Sequence, residues 1–192
     1  MKLLLIVAAV AALIALIPYL RIFIKRLELY FRLRGYCRRK GFALQPTHTF
    51  WMFGSRRGRR CDFYIVSDFA VYSVKLWAMR SYHTELHFTD DGSYFVRGYL
   101  ASAAGLLSRA PVDSKRRRLH ICDFRPDFRY EWYIKPFYPV LLINPTCYEF
   151  RYNTNDGETV VGAGEMLHGM YIYTLSRLLG ELDSIEQGMN WR

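Results

Sequence analysis

Three stretches of the chain carry residue types that could do chemistry. The first is Cys61-Asp62-Phe-Tyr-Ile-Val-Ser-Asp-Phe-Ala-Val-Tyr-Ser73-Val-Lys75-Leu-Trp77. Two strand-like runs place Asp62 at the start of one and Lys75 near the end of the next. An acid and a lysine in that setting suit work on a phosphate. Carboxylates hold a hard divalent cation in an octahedral oxygen array, and a lysine steadies charge at the reacting group. The second stretch is His83, Glu85 and His87, which alternate on a strand and so share one face, with Tyr82, Leu86 and Phe88 opposite. Zn²⁺ accepts such ligands. Three collinear strand residues nevertheless span more than one ion bridges, and a fourth ligand is missing, so a polar, solvated strand face is the better reading. The third, Val161-Gly-Ala-Gly164-Glu-Met, has two glycines but lacks the third glycine and the Lys-Ser/Thr of a phosphate loop. It reads as the start of a helix.

The Asp62–Trp77 hairpin resembles the nuclease-related domain, a branch of the restriction-endonuclease-like PD-(D/E)xK fold. In that family an Asp opens the first strand, and an acid-x-Lys pair, often followed by Trp, closes the second. The resemblance runs over about residues 25–180, with Glu28 where the family often carries a helix acid. It implies a Mg²⁺-dependent nuclease using Asp62, Lys75 and Glu28, with Asp62 on the metal. The motif departs from the family at its centre. The second acid position is Ser73, whose neutral hydroxyl cannot replace a carboxylate, and the family's helix glutamine has no counterpart. Glu28, Asp68 and Glu85 are the candidates for a displaced acid. The resemblance therefore implies a catalytically degenerate domain with no cofactor and no catalytic residue, the Mg²⁺ nuclease being the alternative.

The elements that position these residues start from an uneven charge distribution. The 192 residues are 52% hydrophobic, 17% aromatic and 23% charged, which excludes disordered and low-complexity classes. Of the net +10, residues 21–60 carry +11 and residues 61–192 carry −2. Leu3 to Leu20 contains no charged residue, at the lower end of what spans a bilayer as a helix. This reads as an uncleaved membrane anchor over 1–24. Arg21, Lys25, Arg26, Arg32, Arg34, Arg38, Arg39 and Lys40 form a basic collar after it, suited to anionic headgroups. By the positive-inside rule the protein would be single-pass, with the N-terminus outside and the domain in the cytoplasm. Cys37, Cys61, Cys122 and Cys147 lack CxxC spacing and suit free thiols.

Residues 20–40 carry Leu20, Phe23, Ile24, Leu27, Tyr30 and Phe31 at helical spacing, and residues 25–40 read as a basic amphipathic helix closed by Gly41. Residues 41–192 read as one α+β (or α/β) domain, a mixed, mostly antiparallel sheet flanked by helices. Its expected strands are 48–53, 60–66, 70–77, 82–88, 93–97, 119–124, 131–134, 138–143 and 147–152. Helices are expected over 99–109 and 164–179. Thr89-Asp-Asp-Gly92 is a hairpin signal. Together these describe a membrane-anchored binding or scaffolding protein, with a protein partner favoured over nucleic acid; a structural subunit that docks to another is the blander alternative.

Overall fold

The computed structural model describes residues 2–47, 61–77, 84–100, 110–119, 134–144 and 147–189. It opens with a single long helix, α1 (Lys2–Lys40). Gly41 ends it at φ 75°, a left-handed conformation that glycine adopts without penalty. The Phe42 amide then donates to the Cys37 carbonyl at 2.8 Å, satisfying one of the helix's last free acceptors.

Among the described residues, twelve strands follow. They are β1 (Ala43–Pro46), β2 (Phe63–Val66), β3 (Val71–Trp77), β4 (Thr84–Thr89), β5 (Ser93–Leu100), β6 (Ala110–Asp113), β7 (Arg117–Arg118), β8 (Phe137–Ile143), β9 (Glu149–Thr154), β10 (Gly157–Val160), β11 (Met166–Leu167) and β12 (Met170–Thr174). Helix α2 (Leu175–Met189) comes last. The first sheet has the order β1-β2-β3-β8-β12-β11, with β3, β8 and β12 mutually parallel. The second has the order β10-β9-β4-β5-β6, with β7 beside β5 and with β4 parallel to β9. The chain makes β3, visits the second sheet and returns as β8. It then leaves again through β9 and β10 before closing the first sheet with β12.

Both helices cover one face of the first sheet. Leu29, Leu33, Tyr36 and Cys37 of α1 and Leu178 and Leu182 of α2 pack there against Tyr72, Val74, Leu76, Val140 and Leu142. The other face, with Trp77, Leu141, Ile143 and Ile172, packs against Leu86, Phe88, Tyr94 and Phe150 of the second sheet. Strand β8 is thus buried on both faces, which explains its unbroken Val-Leu-Leu-Ile run. The architecture is mixed α+β in three layers.

The single sheet flanked by helices anticipated from sequence is replaced by two sheets, with the two helices of the described residues on one face of the first. Residues 164–174, read as helix, instead form β11, a tight turn and β12. His168 and Gly169 occupy that turn at φ 49° and 75°, the double positive φ that a two-residue hairpin needs. The buried face of α1 also differs from the anticipated stripe. It runs Arg26, Leu29, Leu33, Tyr36, Cys37, while Leu16, Ile17, Leu20, Ile24 and Phe31 are exposed.

The transmembrane anchor over 1–24 is overturned. Among the described residues, no helix is long and apolar enough to cross a membrane. A spanning helix is apolar around its whole circumference. Beyond residue 24, Lys25, Arg26, Glu28 and Arg32 break the apolar character of α1. The single-pass topology, with the N-terminus outside and the domain in the cytoplasm, and the assignment to the cell membrane fall with that anchor. The expected strands over 48–53 and 119–124 and the short helix over 99–109 lie wholly or mostly outside the described residues.

Candidate functional site

Asp62 stands immediately before β2, at the point where the first sheet runs out of partners for the end of β3. Its amide donates to the Val74 carbonyl at 2.8 Å. Beyond that bond the Leu76 amide has no opposite residue in β2, and Asp62 Oδ2 accepts it at 2.7 Å. The carboxylate therefore extends the ladder by one bond that the backbone cannot make, meeting the requirement that buried amides find acceptors. On its other side Asp62 Oδ1 meets Arg26 Nη2 of α1 at 2.7 Å, with side-chain exposures of 8% and 3%. Arg26 Nη1 also donates to the Leu76 carbonyl at 3.4 Å. A single guanidinium thus ties α1 to Asp62 and to the end of β3.

Lys75 points elsewhere. It lies laterally opposite Leu141 in β8, and Leu141 faces the second sheet. Ser73, Lys75 and Trp77 alternate with the helix-facing Tyr72, Val74 and Leu76, so Lys75 shares the second-sheet face. Lys75 is buried, and Ser73 is fully buried with a hydroxyl that finds no hydrogen-bond partner among the described residues. The pair that could have flanked one phosphate is divided: the lysine faces the second sheet, and the carboxylate engages the helix packed on the opposite face.

The candidates for a second acid stand apart as well. Glu28 faces outward from α1, where it bridges Arg32 at 2.8 Å and Lys25 at 3.6 Å. Asp68 is exposed in the β2–β3 turn, at the opposite end of β2 from Asp62. Glu85 belongs to the second sheet. Among the described residues no group of three or more His, Cys, Asp or Glu could hold a metal ion. Asp62 has each oxygen engaged and an arginine against it, so a Mg²⁺ ion would meet a bound cation where it needs free carboxylate oxygens. The residues do not fit the metal that the family resemblance implies.

The collar is likewise more internal than its composition suggests. Arg26 is inside, Lys25 and Arg32 pair with Glu28, and Lys40 bridges Asp183 at 3.0 Å. Hydrogen bonds from Lys40 and Tyr36 hold the Asp183 carboxyl below the usual carboxylate range. Arg34, Arg38 and Arg39 are exposed, and the side chain of Arg21 lies outside the described residues.

Glu85 and His87 do not form the solvated face anticipated for them. They are 4% and 0% exposed, although they point away from the first sheet. His83 lies outside the described residues. His87 Nε2 is 3.1 Å from Glu85 Oε2 and Nδ1 is 2.9 Å from Asn153 Oδ1, and Phe95 stacks on the ring at 4.6 Å between centroids. Around this pair, Arg151 bridges Glu149 at 2.6 Å and Glu158 at 3.2 Å, and Arg97 bridges Asp113 at 2.8 Å. The hydrogen bond from Arg97 is the main reason the Asp113 carboxyl titrates below its ordinary range. The result is a cross-strand network built from β4, β5, β6, β9 and β10. Sequence reasoning missed it because its members lie up to 73 positions apart, from Glu85 to Glu158; the alternation of polar Glu149, Arg151 and Asn153 with Phe150 and Tyr152 is a local sign.

Burial also fixes the thiols. Desolvation pushes Cys37 up to about 11 and Cys147 up to about 12, and Cys61 is 4% exposed. The thiolate is the reactive form. Native protein at pH 8 should therefore leave these three thiols unmodified by an aromatic disulfide reagent, and denaturant should release them. Mass mapping that finds any of the three modified under native conditions would contradict their burial.

With this geometry established, comparison with known proteins adds no relative. No family model matches the chain. No curated protein and no solved structure matches it. The likeness of the Asp62–Trp77 hairpin to the nuclease-related domain rests on its motif alone.

Proposed function

We propose that the protein is a non-catalytic binding or scaffolding protein whose domain keeps a nuclease-like hairpin in degenerate form. The observation that carries this reading is the engagement of Asp62 by Arg26 and the Leu76 amide, with Lys75 on the other face of the sheet. A nuclease holds its carboxylates open toward substrate and metal; here the carboxylate is part of the scaffold. A protein partner is favoured by the line of exposed apolar residues Leu16, Ile17, Leu20, Ile24 and Phe31 along α1, because contiguous exposed apolar surface marks interaction sites. Nucleic acid is the less favoured partner, since the basic excess is confined to residues 21–60 and several of those cations are already paired.

A cleavage assay with single- and double-stranded DNA and RNA in Mn²⁺ or Mg²⁺ tests the proposal. Wild type and Lys75→Ala should be equally inactive. Metal-dependent cleavage by wild type that disappears in Lys75→Ala would overturn it.

A further inference from the structure

The described side chains of α1 fall on two opposed lines. Arg26, Leu29, Leu33, Tyr36 and Cys37 are buried, and Ile17, Leu20, Ile24 and Phe31 are exposed, with Leu27 half-buried between them. At about 100° per residue, the buried set and the series from Ile17 to Phe31 centre roughly 170° apart. The exposed line is the side of the helix turned away from the sheet that the buried line packs against.

The spacing of that line is stricter than an amphipathic helix requires. Steps of three and four residues alternate without a slip from Ile17 to Phe31, and the sequence carries the same alternation back to Leu3, four heptads in all. One series of positions holds Leu3, Val10, Ile17, Ile24 and Phe31, and the other holds Ile6, Leu13, Leu20 and Leu27. Val10 with Leu13, Ile17 with Leu20 and Ile24 with Leu27 pair a β-branched residue with leucine in three consecutive heptads. In a heptad seam that pairing favours two parallel strands. Every alanine of residues 1–20, and Pro18, lies outside both series, so no small residue interrupts the seam. After Phe31 the register meets Arg34 and Arg38, both exposed, and the seam ends.

We propose that this face of α1 is the seam of a parallel two-stranded coiled coil with a second copy of the chain. The inference rests on the reading of the exposed line as a partner-binding face, and it names that partner. A fully buried aliphatic side chain removes roughly 60–120 Å² from water. Nine seam positions in each of two chains therefore hide on the order of 1,100–2,200 Å², which matches what specific, stable interfaces bury. Along the flank Glu28 draws Lys25 and Arg32 to itself at 3.6 and 2.8 Å, which lowers the like-charge repulsion between two basic helices. The parallel arrangement sets both domains at the same end of the coil, each helix's buried line turned outward to its own sheet.

Sedimentation equilibrium of the full chain across the micromolar range tests the seam. A species of twice the chain mass is expected, and Leu20→Asp/Ile24→Asp should halve it. Those residues are 52% and 53% exposed, so the double variant should keep the far-UV circular dichroism of the sheets. Mild oxidation of Ile24→Cys should cross-link the dimer, because a parallel seam sets residue 24 against its own copy; the wild type is the control for the native thiols. The cysteine variant remains informative even if the double aspartate variant folds poorly. A wild-type monomer, a spread of larger aggregates in place of a dimer, a dimer that persists in the folded double variant, or failure of Ile24→Cys to cross-link would each overturn the proposal. A monomer that cleaves no nucleic acid removes this inference alone, whereas metal-dependent cleavage by a dimer removes the non-catalytic reading.

Discussion

Replacing Arg26 by methionine should cost about 3–5 kcal/mol of folding stability, the range for breaking a buried ion pair by removing one partner. Methionine keeps most of the apolar stem, so the loss reports the guanidinium. It would leave the Asp62 carboxylate buried, at 8% side-chain exposure, without the guanidinium that balances its charge. At about 2–4 °C per kcal/mol for a chain of this size, the thermal midpoint should fall by roughly 6–20 °C. The double variant Arg26→Met/Asp62→Asn should recover part of the loss, because the neutral amide no longer needs a cation and its oxygen can still accept the Leu76 amide. Urea unfolding of the wild type, both single variants and the double variant closes the cycle. A loss below 1 kcal/mol in Arg26→Met would mean that the pair is not structural, and the explanation for an inert Asp62 would go with it.

This position also shows how far the sequence can be read. The hairpin of β2 and β3 and the turn before β5 were legible because their signals are local. Asp62 and Lys75 bracket two β-rich runs, and Gly92 takes φ 72° at the turn where glycine was expected. Strand β8 was legible because burial on both faces writes itself as consecutive apolar residues. The role of Arg26 was not legible. An arginine among seven other cations reads as surface charge, and only the packing of α1 against the end of β3, 50 positions away, turns it inward.

The same difficulty applies to the face of α1. Phe23, Ile24, Leu27, Tyr30 and Phe31 recur at helical spacing as regularly as Leu29, Leu33 and Tyr36, and periodicity cannot choose between two apolar lines on one helix. The sheet chooses the second. At 164–174 the apolar residues suit a helix or a buried strand equally; the parallel neighbour β8 decides for the strand, and the helix is deferred to Leu175. The membrane anchor is read from an uncharged run and the basic residues behind it; which of the later positions on that helix are buried, Arg26, Leu29, Leu33 and Tyr36, depends on the sheet.

Removal of His87 is the second large effect. His87→Ala should destabilise the protein by about 3 kcal/mol or more. The cost has two sources. Glu85, 4% exposed, loses the ring nitrogen at 3.1 Å, and a buried charged acceptor left short of partners costs more than an exposed one. Arg151 lies 3.8 Å from Glu85 but already bridges Glu149 and Glu158, so it compensates only in part. The imidazole also fills space beneath Phe95, and deleting it opens a cavity in a tightly packed layer. Glu85→Gln should cost less, since the amide oxygen can still face the ring while no charge is left buried. The double variant His87→Ala/Glu85→Ala should fall short of the sum of the two alanine variants, with a coupling of about 1 kcal/mol or more. Chemical unfolding of the four proteins at pH 7 measures this. Strict additivity would return Glu85 and His87 to independent surface residues, and the face of the second sheet would then be the solvated one that its sequence pattern describes.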